Sequence, residues 1–272
     1  MPFSYIAKLA LYDKEYLVIH NTKRYFEKRI RKKTGSAIHD YSMIEQGDKV
    51  LVAVSGGKDS IVLLKVLSDL HKAAPVEFEI IPVHIATGFE EDFSRIADWV
   101  RDTLHLDIQV VDSRISEILK EASDPEKSPC ALCSRLRRGC LYALAGEIGA
   151  SSIALGHHLD DIIETFFLRC LYTGQIGSMA PSRYSNDGKN RVIRPLAYCT
   201  DELVCSYFRY LDIEPVTNSC AIVPDGKREL VRNYLKMMEK DSPEVKYSIF
   251  ASLGNIDMKS LCLKEKTYAH PH

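Results

Sequence analysis

The most constraining stretch of this chain is a run of three consecutive patterns: Lys49-Val-Leu-Val-Ala-Val54, then Ser55-Gly-Gly-Lys-Asp-Ser60, then Ile61-Val-Leu-Leu-Lys-Val-Leu-Ser-Asp-Leu70. The first is apolar without alternation, as expected of a strand buried on both faces. The third has the spacing of an amphipathic helix. Between them two glycines let the backbone pass close to an oxyanion, and the helix start presents unpaired N–H groups and its positive dipole end to the same point. Lys58 adds a cation, and Ser55 and Ser60 add hydroxyl donors. The segment is not a Walker A loop, because the first glycine is missing and Asp59 follows the lysine. In the competing reading Ser55 or Ser60 only caps a helix and the glycines only turn the chain. Six specified positions at a strand-to-helix junction favour phosphate binding.

The alternation continues downstream. Strands are expected at residues 78–85, 107–111 and 152–155, with helices at 91–104, 134–148, 160–172 and 201–210. Residues 174–190, rich in Gly, Ser, Asn, Asp and Pro, read as loops or a short hairpin. Strands separated by helices imply βαβ units, hence an α/β fold with a doubly wound parallel sheet. Such a sheet binds ligands beyond the carboxyl ends of its strands. Three regions are expected: a basic helical extension over 1–45, a nucleotide-binding domain over 46–215, and a C-terminal segment over 216–272.

Charge is nearly balanced, with 36 Lys and Arg against 37 Asp and Glu, which at face value argues against nucleic acid. The balance is local, however: residues 1–40 hold nine basic and four acidic residues, a net of +5. The dense part, residues 22–34, interleaves Tyr25, Phe26 and Ile30 with the cations. It is either a solvated amphipathic helix or a surface for a phosphate backbone. No run approaches the roughly 18 apolar residues of a membrane helix, and the N-terminus lacks a secretory layout. A cytoplasmic protein with no membrane partner is expected.

Eight cysteines are too few for a disulfide scaffold, and in a reducing compartment they invite a metal or redox role for some. Cys130 and Cys133 flank the start of a helix carrying Arg135, Arg137 and Arg138, where dipole and cations favour thiolates. A C-x-x-C pair alone is open among zinc, a redox disulfide and an iron–sulfur cluster. Cys220 lies far along the chain, where a loop can return it to the pair. Cys140 is a rival ligand, and Cys170, Cys199, Cys205 and Cys262 read as ordinary buried or half-buried thiols. His157-His-Leu-Asp-Asp161 ends another strand on the rim of the phosphate loop. Its acids suit Mg²⁺ or nucleotide, Asp161 first among them, with Asp160 alternatively a helix cap. Gly156 allows close approach of a nucleotide. His84, ending the second strand, either lines an adenosine pocket or is a satisfied structural histidine.

Ser55-Gly-Gly-Lys-Asp-Ser60 resembles the PP-loop of the N-type ATP pyrophosphatases, of the adenine nucleotide alpha-hydrolase-like fold. Cys130-Ala-Leu-Cys-Ser-Arg-Leu-Arg-Arg-Gly139, Leu155-Gly-His-His-Leu-Asp-Asp-Ile-Ile-Glu-Thr165, Ile193-Arg-Pro-Leu-Ala-Tyr198 and Ser42-Met-Ile-Glu-Gln-Gly-Asp48 resemble the tRNA 2-thiocytidine synthetase family. The resemblance covers about residues 40–222. It implies ATP with Mg²⁺ as cosubstrate, tRNA as substrate, and a [4Fe–4S] cluster on Cys130, Cys133 and Cys220 whose fourth iron lacks a protein thiolate. ATP would adenylate a base carbonyl oxygen and release pyrophosphate, after which sulfur, supplied as sulfide or by a persulfide carrier and held on the open iron, replaces AMP.

In that frame Lys58 and the loop amides hold the leaving pyrophosphate, and Asp59 places the nucleotide or its Mg²⁺. The candidate nucleotide-binding set is Ala53, Ser55, Gly56, Gly57, Lys58, Asp59, Ser60, His84, Gly156 and Asp161; the candidate catalytic set is Asp59, Arg137 and Asp161. Arg135 and Arg137 either stabilise the phosphate or adenylated base, or form a cationic helix face on the tRNA backbone. A homodimer is the assembly the resemblance leads one to expect. Three other readings stay open: a lysidine synthetase-like enzyme, to which the C-x-x-C pair is foreign; an open-iron desulfidase running the sulfur chemistry in reverse; and a nucleotide-binding iron–sulfur sensor without turnover.

Overall fold

A computed structural model describes residues 3–89, 92–122, 129–216 and 226–262, with side chains from residue 22 onward. The chain divides into two compact units. The first comprises residues 1–161 and 180–225, the second 162–179 and 226–272.

The first unit is built on a six-stranded sheet. Helix α1 (Phe3–Asp40) leads into β1 (Lys49–Ala53), α2 (Lys58–His71), β2 (Glu79–Ala86), α3 (Ser94–Leu104) and β3 (Gln109–Asp112). Then come α4 (Ile115–Glu121), α5 (Cys130–Glu147), β4 (Ser152–Ala154) and the start of α6 (Leu159–Thr173). Strands β5 (Ser182–Tyr184) and β6 (Arg191–Ile193), a 3₁₀ turn at Pro195–Tyr198 and α7 (Asp201–Phe208) complete it. The sheet order is β3-β2-β1-β4-β6-β5. All pairings are parallel except the β5–β6 hairpin. The expected doubly wound α/β fold is therefore present.

The unbroken apolar run of β1 is explained by its neighbours. Val50 pairs with Ile80 on one side and Ser152 on the other, so the strand is central. Its side chains alternate between two cores. Val50, Val52 and Val54 face α2, α3, α7 and α1, joining Ile61, Leu64, Ile96, Val204 and Ile30. Leu51 faces α4 and α5, joining Ile115, Leu119, Leu141 and Leu144. Helix α1 is thus part of a core as well as a carrier of charge: Ile30, Thr34 and Ala37 are fully buried, and the Thr34 hydroxyl meets the Cys199 thiol at 3.7 Å. Burial pushes that thiol's pKa up to about 11, as an inert core cysteine requires.

Local differences from the expected elements have local causes. Helix α5 begins at Cys130, not Ser134, because Cys133 N–H already bonds back to the Pro129 carbonyl. Proline at a helix start has no N–H to lose. Helix α4 has only seven residues and β6 only three, too short to show a period. Among the described residues no helix is long and apolar enough to cross a membrane.

In the second unit α6 runs with α8 (Gly226–Asp241) and α9 (Val245–Ser252). Its electrostatic anchor is Glu164, buried on α6, whose carboxylate accepts from Arg232 Nε at 2.8 Å and from Arg228 Nη1 at 3.2 Å. A buried carboxylate is tolerated when cations and hydrogen bonds replace its water.

The sheet changes direction of growth between β1 and β4, and the crevice there is the ligand site expected of such a fold. The loop after β4 presses on the loop after β1: a Cβ on Gly156 would stand 3.0 Å from the Asp59 carbonyl carbon and 3.1 Å from Ser60 N. Gly156→Ala is accordingly expected to lower stability by about 1–3 kcal/mol, the ordinary cost of overpacking against backbone. Thermal unfolding followed by circular dichroism checks this, and an unchanged midpoint would show that the two loops separate freely.

Candidate functional site

The phosphate loop is held open by its own serines. Ser60 Oγ donates to the Gly57 carbonyl at 2.8 Å and accepts from Ser55 N and Ser55 Oγ, each at 3.1 Å. Gly56 has φ +84°, a conformation L side chains avoid, and a Cβ there would meet Val216 at 3.0 Å. Its carbonyl accepts from Val216 N at 2.9 Å. Gly57 caps α2 with backbone alone, without a side-chain hydrogen bond. The positive end of α2 lies directly behind the loop, as an oxyanion site needs.

Four side chains close a ring at the loop's mouth. Lys58 Nζ donates to Asp59 Oδ1 and to Asp201 Oδ1, both at 2.6 Å. His158 Nε2 lies 3.4 Å from Asp201 Oδ1 and 3.8 Å from Asp59 Oδ1. Burial pulls the Lys58 ammonium toward neutrality, but the bonds to Asp201 and Asp59 outweigh it and raise its pKa well above the ordinary lysine value. His158 shows the same competition: burial disfavours its charged form, and the bond to Asp201 with the charges of Asp161, Asp59 and Asp160 leaves its pKa raised. Bonds from His158 and Lys58 hold the Asp201 carboxyl far below the usual range in spite of burial.

The two acids after β4 serve the frame of this ring. Asp161 Oδ2 accepts from His158 N at 3.1 Å, the reach-back of a capping box at the start of α6. Asp160 Oδ2 accepts from Asp201 N at 2.7 Å, fixing the first residue of α7 and with it the Asp201 carboxylate. The carboxylates bonded to Lys58 are thus Asp59, which the sequence singles out, and Asp201, which it does not. Asp59, His158 and Asp201 also offer three ligand atoms within 4.8 Å of one another, a donor set able to hold a hard cation.

Other expected residues fall as follows. Ala53 ends β1, two residues before Ser55. His84 is 1% exposed, its Nδ1 donates to the Val54 carbonyl at 2.8 Å and its ring stacks on Phe93 at 3.6 Å. Cys130 and Cys133 lie in the first turn of α5, one exposed and the other half-buried. Their i,i+3 spacing puts both thiols on one side of the helix. Arg137 is half-buried on the same helix, between the exposed Arg135 and Arg138. Arg194, after β6, is 8% exposed, donates from Nη1 to the Ala180 carbonyl at 2.5 Å and leaves Nε without a partner among the described residues. Burial, with the charges of Arg183 and Arg138, brings its pKa down to about 10. Cys220 lies outside the described residues.

Comparison with known proteins agrees with this geometry. The model of a family described as a PP-loop domain matches residues 24–238. A tRNA-cytidine(32) 2-sulfurtransferase of Pseudomonas fluorescens strain Pf-5 is 42% identical over 235 residues, 85% of this chain and 84% of that protein. A protein of the same name from Pasteurella multocida strain Pm70 is 42% identical over 241 residues, 87% of this chain and 76% of its own. Among solved structures, the U34-tRNA thiolase NcsA from Methanococcus maripaludis with its [4Fe-4S] cluster superposes with a TM-score of 0.70 at 22% identity, covering 86% of this chain and 79% of that one. With a family match that spans residues 24–238 and relatives 42% identical over most of its length, the chain belongs to the PP-loop ATP pyrophosphatases and, within them, to the tRNA-cytidine(32) 2-sulfurtransferase family.

Proposed function

We infer that this chain is an ATP-dependent tRNA sulfurtransferase that replaces the O2 of a cytidine with sulfur. The observation that carries the reading is the order of elements on the parallel sheet, which supports a shared edge for the two sites. A helix that connects parallel strands returns against their direction, so the first turn of α5, with Cys130 and Cys133, is expected at the carboxyl edge of the sheet. The loop Ser55–Ser60 opens at that same edge. An activating site and a thiol site are thereby within reach of one crevice.

The protein's part in the first step is placement and charge neutralisation. The amides of Gly57 and Lys58 and the Ser55 hydroxyl take the β and γ phosphates, Lys58 follows the charge onto the leaving pyrophosphate, and Asp59 orients the nucleotide's metal. The base oxygen attacks the α phosphorus, forming an O–P bond as the α–β bridge breaks. A sulfide equivalent then adds at the activated carbon, and AMP departs with the oxygen. Buried Arg194 and the arginines of α5 face the anionic intermediates from the rim.

Two thiols one turn apart at a helix N-terminus suit a soft metal, and Cys220 supplies the third ligand of the proposed [4Fe–4S] set. When bound, the cluster supplies an open iron for sulfur transfer. The donor is taken to be sulfide or a persulfide carrier, and the assembly a homodimer.

Helix α1 offers the tRNA a face. Arg24, Lys28 and Lys32 recur at i, i+4 and i+8, all exposed, along an open groove of about 610 Å³ that Arg31 and Glu27 also line. The opposite side of the helix is buried through Ile30, Thr34 and Ala37. Cations on a packed helix are held at fixed positions, as backbone recognition requires.

Two outcomes test these assignments. Cys130→Ala, Cys133→Ala and Cys220→Ala each lose iron, the visible absorption of the cluster and 2-thiocytidine formation, while still binding ATP; anaerobic iron and sulfide analysis with nucleoside mass spectrometry reads this. Full thiolation in any one of them would overturn the cluster set. The triple variant Arg24→Glu, Lys28→Glu, Lys32→Glu weakens tRNA binding and flattens the log–log salt dependence by about 2–3 units, one per lost phosphate contact, with ATP affinity unchanged. An unaltered salt slope removes α1 from the tRNA face.

A further inference from the structure

We propose that Lys58 occupies the seat of the nucleotide's divalent metal until ATP arrives, so that nucleotide and metal enter the site together. The inference rests on ATP binding at the Ser55–Ser60 loop and adds how that site is kept closed to metal when empty.

The seat is defined by three donors on three different segments: Asp59 at the start of α2, His158 before α6 and Asp201 at the start of α7. Their ligand atoms lie within 4.8 Å of one another. Carboxylate oxygens at that spacing are what Mg²⁺ or Mn²⁺ takes, at about 2.0–2.1 Å for Mg²⁺. The two oxygens are already in use, since Lys58 Nζ stands 2.6 Å from Asp59 Oδ1 and 2.6 Å from Asp201 Oδ1. An ammonium and a divalent cation cannot share those oxygens at such distances. The third donor is not a surface acid: His158 is 6% exposed, its Nε2 facing the same two oxygens while its Nδ1 lies 3.5 Å from Asp161 Oδ2 on the other side of the ring. The donors are also fixed in advance. Asp160 holds the Asp201 amide at 2.7 Å and Asp161 holds the His158 amide at 3.1 Å.

Lys58 has somewhere else to go. It is the first residue of α2, directly after the glycines, where the triphosphate lies. When phosphate oxygens arrive, the ammonium exchanges two carboxylates for them and the metal carried by ATP takes its place. A cation leaves the ring as another enters, so the charge among Asp59, Asp201 and His158 stays compensated throughout. The ring is thus a coupling device: without nucleotide it is satisfied from within, and with nucleotide it is a metal site.

The test needs no tRNA and no turnover. Mn²⁺ is titrated into the nucleotide-free full-length protein, cluster intact, and free Mn²⁺ is read by electron paramagnetic resonance. Lys58→Met, which keeps length and loses charge, is expected to bind Mn²⁺ about tenfold tighter than the unaltered chain, a shift of about 1.4 kcal/mol. Adding Asp201→Asn to it returns the affinity to the unaltered level or below. Pulsed measurements on Lys58→Met should show nitrogen coupling to the bound Mn²⁺ that disappears when His158→Ala is added. Circular dichroism establishes that each variant is folded, and Lys58→Gln repeats the measurement should Lys58→Met fail to fold. Equal Mn²⁺ affinity with and without the Lys58 charge, or tight binding that survives Asp201→Asn, overturns the proposal. Separate titration with ATP alone shows whether the nucleotide reading stands: ATP binding without the Mn²⁺ gain sinks the exchange and leaves that reading intact.

Discussion

Everything in the site depends on how closely the loop after β4 can approach the loop after β1. At Gly156 the distance leaves no room for a methyl group. That contact sets His158 against Asp59, and through His158 it fixes where α6 starts. The chain then returns by way of the β5–β6 hairpin and the Pro195–Tyr198 turn to place Asp201 in the same crevice, its amide tied to Asp160. Three segments distant in sequence are brought to one point because two parallel strands adjoin and their connections leave in opposite directions. The topology alone would supply a crevice; the missing side chain at Gly156 makes it narrow enough for one lysine to reach two carboxylates.

The ring gives the crevice an electrostatic character that differs from a simple basic phosphate cradle. Lys58 is compensated, not exposed as a bare cation, and Asp201 is held ionised by His158 and Lys58 together. A loop with open amides and an internally paired lysine discriminates against free anions: a single phosphate gains the amides but must compete with two carboxylates for Lys58. A nucleotide triphosphate with its metal meets both requirements together. Selectivity for the cosubstrate therefore arises from balance among charges, with no need for a closed pocket.

Much of this was legible in the sequence because it rests on short-range rules. The strand of residues 49–54 is apolar on both faces, the helix after it is periodic, and the Gly-Gly turn between them, with Lys58 and two serines, favours phosphate binding over a plain turn. The C-x-x-C pair was visible too, although the helix starts at Cys130, at a proline whose role as helix opener is easily passed over. Asp201 was not legible. It stands in a sequence of ordinary composition after Thr200, which caps α7 through a bond from Leu203 N, and reads locally as one of two acids in a helix's first turn. Only the long-range pairing with Lys58 gives it significance, and no periodicity encodes that. Asp161 is the converse case: its local setting marks it as a site acid, while its geometry is that of a capping box.

The charge of the chain is resolved in the same way. A net of -1 describes no particular surface. Helix α1 buries Ile30, Thr34 and Ala37 and turns Arg24, Lys28 and Lys32 outward, so its cations are carried on a rigid rod anchored in the core of the sheet domain. The end of that rod reaches the site: Asp40 accepts from the Tyr198 hydroxyl at 2.9 Å, three residues before Asp201. One helix thus carries the basic groove and, at its C-terminal end, is tied by a side-chain hydrogen bond to the 3₁₀ turn that precedes α7.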